Sequence, residues 1–371
     1  MISKIQIKRT GGSVIFEYET EDNSVKKTVE EYIRIEKSLG KKKVDLTYAD
    51  LRHADLSSVD LIGANLYYAD LSGAYLNGAY LNGARLIFAD LTYANLSDTD
   101  LEDANLHYAN LKGAILIEAN LINSKLIGAN LCDANLVNAC LCNSNLENAR
   151  LIFADLRHAD LSDTDLREAN LTYANLKEAD LTFSILDNAL LNCAQLIASK
   201  LIGASLKKAY LSNADLSATN LTNADLSEAK LSNVNLSGSI LRFSKLNKTD
   251  LSGADLSNSD LVGSTLINSD LNNAKLWVAD LTHTDLSGAN LKDADLFNAN
   301  LNYANLKEAD LFNANLNYAD LSGANLSRAY LRNSNLEGAN LTNAKLIGTN
   351  MSDAILEGAK MIDTKVNIVE K

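Results

Sequence analysis

The chain has 371 residues, no proline, four cysteines and a formal net charge of −13. This acidic balance argues against direct nucleic-acid binding, because affinity for phosphates comes from lysine and arginine. No apolar run approaches the roughly 20 residues of a membrane-spanning helix, and Lys8, Arg9 and Glu17 interrupt the N-terminal region where a signal peptide is apolar. We therefore expect a cytoplasmic protein with no membrane contact.

Residues 1–43 carry no repeat and are predicted to form an N-terminal cap. Segments 4–8 and 14–18 are rich in β-branched and aromatic residues and flank Gly11 and Gly12. This arrangement is typical of a β-hairpin.

A helix is predicted over residues 25–39, with Ser24 as its N-cap and Gly40 beyond its end. Its side chains at helical spacing are Val25, Val29, Tyr32, Ile33 and Glu36. A hairpin and a helix together can cover an exposed first coil of a repeat array.

A five-residue repeat fills residues 44–366. Stepping by five from Leu46 gives 65 positions without insertion or deletion, and all are leucine except Met351, Met361 and Val366. We call this residue the centre of each unit and number its neighbours from it. The minus-two residue is small or slim throughout, with 45 Ala, 10 Ser, 7 Thr and 3 Val, and the minus-one residue is Asp in 22 units and Asn in 20.

A period of five fits neither the helix nor the long strand. The chain must therefore turn after each unit while keeping the centre and the minus-two residue inside, and the units must stack to bury them. The absence of proline and of any break in the register argues against a linker within the array.

The motif A-D/N-L-x-x, as in Ala49-Asp50-Leu51, resembles the pentapeptide-repeat family over residues 44–366. The resemblance implies an all-β fold, a right-handed quadrilateral β-helix with four units to a coil. The 65 units then make roughly 16 coils. The predicted domains are the cap at 1–43, the β-helix at 44–366 and a C-terminal tail at 367–371.

Four aromatic residues support a coil of twenty residues. Tyr48, Tyr68, Phe88 and Tyr108 all lie two residues after a centre and are twenty apart. Stacked coils place them as a ladder on one outer face, where they are candidate partner-contact residues. Stacking between coils gives them an equally direct structural role.

A second departure from the repeat begins at Ile185 and ends at Tyr210. Six consecutive minus-one residues in this segment are neither Asp nor Asn, and the outward residues between them include isoleucines. The candidate partner-contact residues here are Ile185, Leu190, Ile197, Ile202 and Tyr210. An apolar outer patch is one interpretation, and a local bend of the coils is the other.

No catalytic, cofactor-binding or metal-binding residue is predicted. A filled solenoid offers no concave pocket with convergent polar groups. The four histidines fall on four different faces of a twenty-residue coil, and the four cysteines have neither disulfide nor zinc spacing.

Two functions remain open. The first is a non-enzymatic protein-binding or scaffold rod that acts through its outer faces. The second, implied by the family resemblance and by a net charge of −16 in the repeats, is a DNA-mimicking inhibitor or protector of DNA gyrase or topoisomerase IV. The resemblance also implies a homodimer through the C-terminal coil.

Overall fold

A computed structural model describes residues 2–367. The chain divides into two compact units, Met1–Ile185 and Leu186–Lys371, which are described separately. The predicted tail falls almost entirely on residues 368–371, outside the described residues. The boundary at residue 43 between the cap and the β-helix remains a prediction, based on where the repeat begins in the sequence.

The first unit begins with a β-hairpin. Strand β1 (Ile2–Arg9) pairs antiparallel with β2 (Val14–Glu21), and Gly12 takes a φ of +86° in the connecting turn. Strand β1 also pairs antiparallel with β3 (Ala49–Asp50), which belongs to the first coil. The hairpin therefore covers backbone groups that the coil leaves open.

Helix α1 (Val25–Ser38) packs beside the hairpin. The Ser24 hydroxyl accepts the Lys27 N–H (3.1 Å), which satisfies one of the free donors at the helix N-terminus. Tyr32 is buried, packs against Phe16 with ring centroids 5.1 Å apart and the rings tilted by 30°, and donates its hydroxyl hydrogen to the Asp45 carbonyl (3.2 Å). These contacts join the helix to the hairpin and to the first coil. Within residues 2–367 no helix is long and apolar enough to cross a membrane.

Twenty residues make one coil of the first unit. Parallel bridges join residues twenty apart, for example Asp50 to Asp70 and Asp70 to Asp90. The backbone follows the same period, since the Leu51 N–H donates to the Asp70 carbonyl at 2.8 Å. Four five-residue units therefore complete each coil, as the spacing of the aromatic residues predicts.

Each unit ends in a tight turn. The Ala69 N–H donates to the Leu66 carbonyl (3.0 Å), and Tyr68, at plus-two, has a φ of +54°. Positive φ at the third residue only is the pattern of a type II turn, which usually takes glycine or asparagine there. Here tyrosine is held in that conformation by a hydrogen bond from its N–H to the Ile87 carbonyl of the next coil (3.1 Å).

The core consists of the centre and minus-two side chains. Leu66 is 0% and Ala69 1% exposed, and the same two positions are buried in coil after coil. The prediction of which side chains lie inside is confirmed.

The minus-one carboxylates bond to the turn, as Asp and Asn side chains commonly do. Asp70 Oδ1 accepts the Ser72 N–H (3.1 Å) and the Ser72 hydroxyl (2.7 Å). Where Asn follows one coil later, its amide donates back, as from Asn110 to Asp90 Oδ1 (3.4 Å). The Ser57 hydroxyl and then the Ser57 N–H hold the pKa of Asp55 below its usual value.

The second unit has the same architecture. Asp250 bridges to Asp270, and the buried Leu251 donates its N–H to the Asp270 carbonyl (2.7 Å). Strand β4 (Lys345–Ile347) pairs in parallel with β5 (Lys365–Asn367). In the last described coil the centres become exposed, at 36% for Leu356 and Met361 and 47% for Val366.

Candidate protein-binding surface

The aromatic ladder consists of Tyr48, Tyr68, Phe88 and Tyr108 in the first unit. Each occupies the plus-two position of its turn, one coil after the last, with φ between 54° and 58°. Successive ring centroids are 5.3, 4.9 and 5.2 Å apart, and interplanar angles are 3°, 12° and 12°. The rings are 40–54% exposed, so the stack presents its edges to solvent.

Tyr67 supports the ladder from the plus-one position. Its ring meets Tyr68 edge-on with centroids 4.5 Å apart, and lies 6.2 Å from both Tyr48 and Phe88. Edge-to-face contacts of this kind are favourable for aromatic pairs. The first three rings of the ladder are therefore held both by their neighbours in the stack and by Tyr67 at its side.

His107 occupies the plus-one position beside the last ring of the ladder. Its ring centroid is 6.4 Å from that of Tyr108, and Nε2 is buried without a hydrogen-bond partner. Burial first, and then the Lys125 ammonium, lower the pKa of His107. A neutral imidazole therefore packs against this end of the ladder at neutral pH.

An acidic column lies two residues beyond the first three rings, at Asp50, Asp70 and Asp90. Arg52 pairs with Asp50 (2.7 Å) and approaches Asp70 (3.6 Å). The Arg52 side chain holds the pKa of Asp50 below its usual value. The ladder therefore has a predominantly negative flank.

The last ring of the ladder needs a glycine in the following coil. A Cβ added at Gly128 meets Tyr108 Cε1 at 2.5 Å, whereas one added at Gly83 meets nothing within 4 Å. The two glycines have nearly the same φ, +64° and +62°.

Gly128→Ala is therefore expected to destabilise the protein more than Gly83→Ala. Both substitutions place alanine in the left-handed region, at about 1 kcal/mol each, and only the first also displaces the Tyr108 ring, which adds about 1–2 kcal/mol. Urea denaturation measures both free energies of unfolding. Equal losses in the two variants would show that the ring is free to move aside.

Within the second unit, the members of the second predicted set do not gather on one face. Ile185, in the first unit, is 39% exposed. In the second unit Leu190 and Tyr210 are bridged neighbours in adjacent coils, and Tyr210 is 46% exposed. Ile197 and Ile202 are half-buried and, being five residues apart, lie on successive corners of the coil. The structure thus brings together only Leu190 and Tyr210 within the second unit.

A second aromatic cluster, in the second unit, was not predicted. Trp277, Phe297 and Tyr318 share one corner and are 39%, 41% and 55% exposed, and the Phe297 and Tyr318 rings meet edge-on at 6.0 Å. The sequence F-N-A-N-L-N-Y-A occurs at 297–304 and again at 312–319. This fifteen-residue duplication sets Phe297 of the first copy twenty-one residues before Tyr318 of the second.

The sequence model of the family "Pentapeptide repeats (8 copies)" matches segments that run from residue 42 to residue 361. No curated protein sequence matches the chain.

Among solved structures, the chain resembles HetL, a pentapeptide repeat protein involved in heterocyst differentiation regulation in the cyanobacterium Nostoc. The identity is 34% over 63% of this chain and 89% of that one, with a TM-score of 0.28. A pentapeptide repeat protein of the Arabidopsis thaliana thylakoid lumen is also 34% identical, over 31% of this chain and 70% of that one, with a TM-score of 0.15.

QnrB1, a plasmid-mediated fluoroquinolone resistance protein, matches at 22% identity over 47% of this chain and 88% of that one, with a TM-score of 0.31. The family match covers most of the chain and follows the repeat that the core and the turns display. The chain belongs to the pentapeptide repeat family, whose proteins fold as right-handed β-helices.

Proposed function

We propose that the protein is a non-catalytic, cytoplasmic binding protein whose protein partner docks on the aromatic ladder. The proposal rests on the stack of rings in the ladder. The four rings are aligned along successive coils, each is 40–54% exposed, and all are attached to a regular backbone. Rigid aromatic side chains are the residues that most often dominate binding energy at protein interfaces. They lose little conformational entropy on binding because their positions are already set.

The charges beside the ladder define the partner surface. Asp70 and Asp90 lie in the flanking column, and their minus-one carboxylates keep one side of the ladder negative. A complementary surface on the partner has an apolar patch that covers the rings, with Lys or Arg side chains beside that patch.

The test is affinity capture from extracts of the source organism with matched triple variants. The first replaces Tyr48, Tyr68 and Tyr108 by Ser. The control replaces Tyr93, Tyr173 and Tyr303 by Ser; these residues also occupy plus-two positions and are 52–65% exposed. Tyr93 and Tyr173 lie on another corner of the first unit, and Tyr303 belongs to the second unit.

A partner held by the wild type and the control is expected to be lost from the ladder variant. Its purified complex should weaken by roughly 100-fold or more, because each interface aromatic contributes about 1–2 kcal/mol. Equal capture by both variants contradicts the proposal.

The alternative function is DNA mimicry toward DNA gyrase or topoisomerase IV. It is supported by the net charge of −16 in the repeats, but 22 of the 39 acidic residues there are minus-one Asp, the position whose carboxylates bond to the turns. Gyrase supercoiling and topoisomerase IV decatenation separate the two functions. Inhibition at micromolar protein supports mimicry, and unchanged rates of both enzymes remove it.

We further propose that the coil containing Leu356, Met361 and Val366 pairs with the same coil of a second copy. Its centres are 36–47% exposed, whereas those of the preceding coils are buried. Pairing covers apolar surface and open backbone groups together. Light scattering should then give twice the mass of one chain, and a monomer contradicts the pairing.

A further inference from the structure

Two cysteines lie on either side of one buried leucine in the first unit. Cys140 is the minus-one and Cys142 the plus-one residue of the unit centred on Leu141. Leu141 is fully buried, Cys140 is exposed, and Cys142 is half-buried. Both thiols are free.

Side chains at these two positions touch one another in other units. Asp55 Oδ1 and the Ser57 hydroxyl are 2.7 Å apart, and the equivalent atoms of Asn95 and Ser97 are 2.8 Å apart. The minus-one and plus-one residues therefore converge above the centre. By the same geometry, the Cys140 and Cys142 side chains lie above one centre, and they are near enough for Cys140 to raise the pKa of Cys142.

A direct disulfide does not suit this backbone. Residues two apart in an extended strand are separated by about 6.6 Å, near the upper end of the disulfide range. Hydrogen bonds to both neighbouring coils fix the segment, from the Cys140 N–H to the Ala119 carbonyl (2.9 Å) and from the Leu141 N–H to the Asp160 carbonyl (2.7 Å). A ligand atom that inserts between the two sulfurs spans the gap without moving the backbone.

The surroundings select the type of ligand. Burial, then Asp160 and Cys140, raise the pKa of the Cys142 thiol, and Asp163 contributes in the same direction. The Cys142 thiol is therefore protonated at neutral pH, and a ligand that requires a net increase in negative charge beside it is disfavoured. Within residues 2–367 no group of three or more His, Cys, Asp or Glu could hold a metal ion, so the site offers two sulfurs and no third ligand.

We propose that Cys140 and Cys142 form a binding site for trivalent arsenic carried on one organic group. The oxide of such an arsenical condenses with two thiols: two As–S bonds form, the bonds from arsenic to oxygen break, and the oxygen leaves as water with both thiol protons. Arsenic remains trivalent, and the charge of the site does not change. The acidic neighbours Asp160 and Asp163 therefore do not oppose this reaction.

The test uses phenylarsine oxide on the reduced full-length protein. One equivalent should block two of the four thiols and resist a monothiol challenge, while a small dithiol should remove it. Cys140→Ser and Cys142→Ser should each weaken retention by about 100-fold or more, because a single thiol loses the chelate advantage. Cys193→Ser, which removes a thiol of the second unit, should retain one equivalent as the wild type does.

Apparent affinity should also change little between pH 6 and pH 8, because no net charge is gained. Thermal midpoints of the four proteins show whether any loss reflects unfolding. The proposal is overturned if either single variant retains the arsenical as tightly as the wild type with an unchanged midpoint. It is also overturned if one equivalent leaves all four thiols of the wild type reactive.

Discussion

Leu126→Ala is expected to lower the free energy of unfolding by about 3 kcal/mol, within the range of about 2–5 kcal/mol typical of buried leucines. Leu126 is a centre with no exposed surface, and its N–H is bonded to the next coil at 2.7 Å. The thin interior of each coil is lined only by centres and minus-two residues, and most of the latter are alanine. No larger side chain is available to fill the cavity.

The matched control is Ile127→Ala, which removes a similar aliphatic group one residue later. Ile127 is half-buried at the plus-one position, and we expect a loss of about 1 kcal/mol. Urea denaturation followed by circular dichroism measures both variants. Similar losses would contradict the division into inward centres and outward plus-one residues.

Coil length and core could be predicted because the constraint repeats. Leucine at every fifth residue fixes the inward positions, and the spacing from Tyr48 to Tyr108 fixes the number of units in a coil. A packed core tolerates no slip of register. In this fold the five-residue pattern of the sequence is therefore enough to predict which side chains are buried and how the units stack.

Outer clusters are harder to predict because they depend on which corners meet. Phe297 and Tyr318 are twenty-one residues apart, and their rings touch only because a plus-one side chain reaches the plus-two side chain of the next coil. Conversely, Ile197 and Ile202 are only five residues apart in the sequence. Because five residues are one unit, they lie on successive corners of the coil. Apolar composition alone does not distinguish these cases.

Contacts across a centre were also missed. The sequence shows that Cys140 and Cys142 both point outward, but their convergence follows from the minus-one to plus-one hydrogen bonds seen elsewhere, such as Asp55 to Ser57. The glycine beneath Tyr108 is similar, since its importance depends on the tilt of a ring one coil away. Both the placement of the cysteine pair and the importance of the glycine depend on the direction of outward side chains, which the five-residue pattern does not specify.

If the partner recognises the aromatic ladder as one aligned surface, its affinity depends on the alignment of the four rings, and two insertions separate that alignment from the fold. A second copy of residues 74–78 placed after Gly78 preserves every inward position but moves Phe88 and Tyr108 to the next corner. A second copy of residues 59–78 at the same point adds a whole coil and keeps the ladder aligned; of the three tyrosines that it adds, the copy of Tyr68 extends the ladder by one ring.

Both proteins should fold, because each retains the buried pattern of centres and minus-two residues. The measurement is the affinity of each for the partner captured by the wild type. The five-residue insertion should weaken binding by roughly 100-fold, since two of the four rings leave the surface, whereas the twenty-residue insertion should bind within about threefold of the wild type. Equal affinity of the two folded proteins would show that the partner does not bind the four rings as one aligned surface.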